Sequence, residues 1–228
     1  MSPDPRLCLA LDGCTPAEAL AWIARTRDRI GVFKVGLELF CSGGPALVDA
    51  CHDAGAASIF LDLKLHDIPR TVAHAVAAAA RPGVRWITVH AGGGRAMLAE
   101  AQQAAARAGV GLLAVTVLTS LDAAAAREAG LGDVAATARL RAGLAAAAGL
   151  AGIVCSAAEV ADLKGRHPEL TAVVPGIRWA EAAADDQRRV ADPASALAAG
   201  ADALVIGRMV TRAPDVDAAL ARLLEAVA

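Results

Sequence analysis

At 228 residues and 56% hydrophobic side chains, the chain is long and apolar enough for one domain with a sizeable core, which excludes a disordered protein. A net charge of −2 leaves no basic excess for a nucleic-acid backbone, and 3% aromatics with no Tyr leave no platform for stacked bases. The five cysteines (Cys8, Cys14, Cys41, Cys51 and Cys155) are odd in number and form no C-x-x-C, so they read as reduced, mostly buried thiols rather than disulfides or zinc ligands.

The first apolar run, Leu7–Asp12, is too short for a signal-peptide core and ends in a carboxylate. It reads as a strand. Thr15 with Glu18 forms a capping box ahead of a helix over Ala19–Arg27. Strands follow at Val32–Gly36, Ser58–Lys64, Trp86–His90, Gly111–Leu118, Gly152–Ser156, Thr171–Ile177 and Ala203–Gly207. Each is a short apolar run bounded by Gly, Pro or charge, as strands buried on both faces of a parallel sheet are. Amphipathic Ala-rich stretches fill the gaps. Pro45 and Pro69 suit the first turns of two helices, and Asp215 opens the last one, Ala218–Ala226. These stretches are broken by Arg, Glu, Gly or Pro before a membrane span is reached, so the expectation is a soluble cytoplasmic protein.

Eight strands alternating with helices in this length predict an α/β fold, a single (β/α)8 TIM barrel spanning residues 1–228. The rival, a doubly wound open sheet, would carry G-x-G-x-x-G after its first strand. Here that strand runs into Asp12-Gly13-Cys14.

Barrel enzymes draw their chemistry from the C-terminal strand ends. Asp12, Asp62, Lys64, His90, Thr119, Ser120, Arg178, Gly207 and Arg208 all fall at or just past such ends, and Lys34 lies inside strand 2. A Lys within an apolar strand needs a charged partner. His90 is readable either as a site residue or as a hydrogen-bonding group in the layer beneath. The densest signal is Asp62-Leu63-Lys64-Leu65-His66-Asp67-Ile68-Pro69. Strand alternation puts Asp62 and Lys64 on one face, their Cβ atoms roughly 7 Å apart, while Leu61 and Leu63 face the helices. Asp67 follows on the loop. A carboxylate–ammonium–carboxylate set holds the Lys charged and fixed, as an acid near a developing carbanion must be. Phosphate sites in barrels use the loops after strands 7 and 8, where Gly176, Arg178, Gly207 and Arg208 supply close backbone approach and guanidinium forks. The polar stretch from Trp179 to Asp192 has the length of a lid, and Gln187 within it can bridge a phosphate and a carbonyl-bearing base.

The segment from Asp62 to Pro69 resembles the signature of orotidine 5′-monophosphate decarboxylases. The likeness continues through Leu9-Ala10-Leu11-Asp12, Phe33-Lys34-Val35-Gly36, Val117-Leu118-Thr119-Ser120, Val174-Pro175-Gly176-Ile177-Arg178, Asp186-Gln187-Arg188-Arg189 and Val205-Ile206-Gly207-Arg208. It spans essentially the whole chain in the family's order. This resemblance implies a homodimer that decarboxylates orotidine 5′-monophosphate to UMP without a metal or organic cofactor. It implies Lys64 as proton donor to C6 and Asp62 beside the departing carboxylate. Asp12 and Lys34 would hold ribose hydroxyls and complete the charge network. Asp67, Ile68 and Thr71 would reach the neighbouring subunit's site. Thr119 or Ser120 would meet the pyrimidine edge or ribose, while Arg178, Gln187, Gly207 and Arg208 would grip the phosphate side. The chain departs from the family pattern at Leu65, Arg70, Trp179 and Met209, none of them a charged member of the site. Two other readings are compatible with a D-x-K-x-x-D barrel: a magnesium-dependent decarboxylase or aldolase acting on a sugar phosphate, and a non-catalytic nucleotide-binding barrel.

Overall fold

The computed structural model describes residues 2–179 and 191–228. Eight parallel strands close into a barrel in chain order, with β1 pairing with β8. They are β1 (Asp4–Ala10), β2 (Ile30–Gly36), β3 (Ile59–Leu65), β4 (Val84–His90), β5 (Gly111–Val115), β6 (Gly152–Val154), β7 (Thr171–Val174) and β8 (Ala203–Ile206). Around them lie α1 (Pro16–Thr26), α2 (Leu37–Asp53), α3 (Pro69–Ala79), α4 (Gly94–Ala108), α5 (Ala123–Glu128), α6 (Val134–Ala147), α7 (Ala157–Arg166), α8 (Pro193–Ala198), α9 (Arg208–Thr211) and α10 (Val216–Val227). The expected (β/α)8 architecture is present.

Local chemistry sets the helix starts. Thr15 and Glu18 form both halves of the capping box on α1, Pro69 occupies the first turn of α3, and Asp215 caps α10 by accepting from Ala218 N. Pro45 opens the second of two helical segments within α2, separated by a kink at Gly44.

The core has two layers. Cys8, Ala10, Val32, Phe60, Trp86, Leu113, Val173, Ala203 and Val205 fill the barrel interior. Leu61, Leu63 and the opposite faces of the other strands pack under the helices. Alternation along each strand therefore sorts side chains between barrel and helix layer, which sends Phe60 and Asp62 inward and Leu61 and Leu63 outward.

Several strand ends differ from expectation. β1 stops at Ala10, so Asp12 sits on the loop beyond it, held near β2 by the Leu11 N–H donating to Lys34 O. β5 ends at Val115 and β7 at Val174, which leaves Thr119, Gly176 and Arg178 on loops. An apolar run does not stop where ladder pairing stops, because loops that turn back over a barrel mouth bury apolar side chains too. Val117 and Ile177 are both buried.

Candidate active site

The C-terminal mouth of the barrel encloses a cavity of about 740 Å³, within the range of small-molecule sites. Asp12, Lys34, Asp62 and Lys64 line one side. They form an unbroken row of alternating charge. Lys34 Nζ donates to both Asp12 oxygens at 2.7 and 2.9 Å and lies 3.7 Å from Asp62 Oδ2; that same oxygen is 2.7 Å from Lys64 Nζ.

Burial separates the two lysines. Lys34 is 6% exposed, so it holds its neighbours' charges in place. Lys64, with a side chain 32% exposed, opens to the cavity and can meet a ligand. Desolvation by itself would push the Lys34 pKa down, but the Asp62 and Asp12 carboxylates outweigh it and the net shift is upward. Burial would likewise raise the Asp62 pKa. The Lys34 and Lys64 ammonium groups, with hydrogen bonds from Lys64 and Thr88, reverse this and keep the carboxyl below its usual range. The signs fix the linkage to folding. Asp62 stabilises the fold above its unfolded pKa, a contribution lost as pH falls through the lowered folded value; the Lys34 contribution is lost only as pH rises through its raised value.

Two glycines make room for this row. A Cβ on Gly36 would stand 2.7 Å from Asp12 Oδ1 and 3.3 Å from Lys34 Nζ, so a larger residue there would displace the ion pair. Gly176 takes a left-handed φ of 80° at the end of β7, where its carbonyl accepts from Ala191 N. The Arg178 N–H donates to Ala191 O at 2.9 Å. The two ends of the long stretch after β7 are thereby pinned together.

Thr119, Pro175, Gly176, Arg178, Gly207 and Arg208, from the segments after β5, β7 and β8, also line the cavity. A row of anchored charges and the guanidinium-bearing residues Arg178 and Arg208 thus share one ligand-sized space. Among the described residues no group of three or more His, Cys, Asp or Glu side chains is gathered as a metal centre would require.

Residues 5–223 match the family described as Orotidine 5′-phosphate decarboxylase / HUMPS. A relative from Anaeromyxobacter sp. (strain K), named orotidine 5′-phosphate decarboxylase, is 50% identical over 229 residues, covering 99% of each chain. One of the same name from Halorhodospira halophila is 51% identical and covers 98% of this chain and 96% of its own. The crystal structure of the Lactobacillus acidophilus orotidine 5′-phosphate decarboxylase superposes with a TM-score of 0.84 at 31% identity, over 98% of this chain and 99% of that one. The chain belongs to the orotidine 5′-phosphate decarboxylase / HUMPS family.

Not every residue expected in the site of a family member lies there within one chain. Asp67 points its carboxylate back to Ile68 N at 2.7 Å and forms no ion pair with Lys64. Ile68 is 68% exposed, Thr71 is exposed, and neither lines the cavity. Of the pair left open, Thr119 lines the cavity and Ser120 does not. Gln187, with Asp186, Arg188 and Arg189, lies outside the described residues.

His90 sits off the cavity. It stacks on His66 with ring centroids 5.1 Å apart, and its Nδ1 accepts from Gly92 N. Burial, with the nearby cationic Arg141, pushes its pKa down to about 4, so the ring is neutral near pH 7.

Sequence reasoning missed Trp22, Thr211 and Arg212, which line the cavity from α1 and the segment after β8. They fall on helices or past them rather than at strand ends, so strand-end logic does not find them. It also missed Thr88. A buried polar residue within Ile87-Thr88-Val89 was the available signal.

Proposed function

We propose that this chain decarboxylates orotidine 5′-monophosphate to UMP, as a single catalytic domain in the cytoplasm working as a homodimer. The observation that carries the reading is the Asp12–Lys34–Asp62–Lys64 row sharing one cavity with Arg178, Gly207 and Arg208. In this reading the pyrimidine lies against Lys64 and Asp62, with the phosphate at the two arginines.

The bond from C6 to the carboxylate breaks, carbon dioxide leaves, and the electron pair stays on C6. The Lys64 ammonium stabilises that charge and then passes a proton from Nζ to C6, forming UMP; solvent reprotonates the amine. Two unit charges about 4 Å apart interact by roughly 4 kcal/mol at an effective dielectric near 20. One such contact is too weak to account for a large acceleration. Binding energy from the remote phosphate supplies the rest, by holding the base where the fixed charges act. Asp12 and Lys34 hold ribose hydroxyls, Thr119 meets the base or ribose, and Gln187 joins the phosphate side.

The test is direct. Purified protein mixed with orotidine 5′-monophosphate should change its ultraviolet absorbance as UMP forms, and should do so after exhaustive chelation. Activity only with a sugar phosphate, or lost on chelation and restored by magnesium, would favour the other branch of the superfamily.

The arginine pair makes a separate prediction. Arg208→Ala should lower kcat/KM for orotidine 5′-monophosphate roughly 10- to 100-fold, the worth of a charge-assisted hydrogen bond. With orotidine, which lacks the phosphate, the variant should match wild type. Equal losses on both substrates would contradict a phosphate-specific role.

A further inference from the structure

We infer that Thr88, a residue off the cavity, is the positioning residue that sets the Asp62–Lys64 pair. The inference rests on the decarboxylase reading above for its catalytic consequence, and on β3–β4 geometry for its physical basis.

The ladder between these strands is interrupted at the site. Leu61 pairs with Ile87 and Leu65 with Val89, so four steps along β3 span two along β4. The surplus bulges, and Lys64 takes φ 49°, the only left-handed non-glycine backbone among the described residues. Such a conformation is disfavoured for a residue with a Cβ and persists only where surrounding contacts over-determine it.

Thr88 supplies those contacts. It lies on β4 between the two paired positions and is fully buried. The Lys64 N–H donates to Thr88 Oγ1 at 2.8 Å, replacing the ladder bond that the bulge forgoes. The same hydroxyl donates its one proton to Asp62 Oδ1 at 3.1 Å. With Oδ1 fixed by Thr88, Oδ2 faces both ammonium groups. One hydroxyl therefore fixes the backbone of the proton donor and the rotation of its carboxylate partner. A hydroxyl that merely filled a hole in the barrel would not need both bonds.

The test separates the hydroxyl from packing. Thr88→Ser and Thr88→Ala differ by a single oxygen, and Thr88→Val keeps the shape without it. With orotidine 5′-monophosphate, the Ser variant should keep kcat within about threefold of wild type. The Ala and Val variants should lose about tenfold or more in kcat with little change in KM, since Thr88 does not touch the cavity. Independently of activity, ¹³C NMR titration of the Asp62 carboxyl should show its pKa higher in the Ala variant than in the Ser variant, because a hydrogen bond to the charged form is gone. Equal kcat in the Ser and Ala variants, or an unchanged Asp62 titration between them, would overturn the assignment. Should the wild type prove inactive on this substrate while the Asp62 titration still moves, the decarboxylase reading falls and the hydroxyl's hold on Asp62 stands.

Discussion

Replacing Lys64 with Ala is expected to lower kcat for decarboxylation by roughly 10⁴-fold or more, the combined loss of a general acid and of the fixed charge that stabilises the carbanion. Lys64 is the more exposed ammonium of the row, whereas Lys34, which also lines the cavity, is buried and engaged by Asp12. No neighbouring group can take over its role without rebuilding β3. The fold should survive. The side chain is partly exposed, and Asp62 keeps Lys34 and Thr88 as partners once Lys64 is gone. The measurement is single-turnover kinetics on protein with a native circular dichroism spectrum. Activity within tenfold of wild type would remove Lys64 from the mechanism. Ala at position 64 inherits the left-handed backbone, as strained for Ala as for Lys, so a modest loss of stability need not accompany the catalytic one.

Asp67 should act in the neighbouring subunit's site, and mixing two dead variants should bring activity back. Within its own chain Asp67 is exposed and turned to Ile68 N, and the adjacent Ile68 presents a large apolar side chain to solvent. A second copy of the chain covering this loop would bury Ile68 and deliver the carboxylate to a Lys64 that is not its own. Lys64→Ala and Asp67→Ala, each inactive alone, are unfolded and refolded together. Random pairing makes about half the dimers mixed, and in each mixed dimer one of the two sites has both native residues, so about a quarter of wild-type activity should return. A residue acting within its own chain would restore none, because every site would lack one partner. Mixed dimers without recovered activity would overturn the shared site.

The sequence by itself determined the barrel and the charged half of the site. Eight short apolar runs alternating with amphipathic ones, with no G-x-G-x-x-G after the first, fit a closed barrel better than a doubly wound sheet, and a Lys inside β2 has to find carboxylates. The spacing of Asp62 and Lys64 placed them on one face correctly, yet the local reason is not simple alternation. The bulge and the left-handed Lys64 depend on pairing with β4, a non-local contact that no pattern within β3 records. The same holds for Thr88, whose importance lies wholly in what stands across the ladder. Strand ends were legible only to within a few residues. Val117 and Ile177 are as apolar as strand residues but are buried by loops folding over the barrel mouth. Tertiary structure alone decided that Thr119 rather than Ser120 lines the cavity, that Trp22 and Arg212 join it, and that Asp67 stays away from the Lys64 of its own chain. Each of these depends on where a loop or helix comes to rest in space, which closure of the barrel fixes and linear spacing does not.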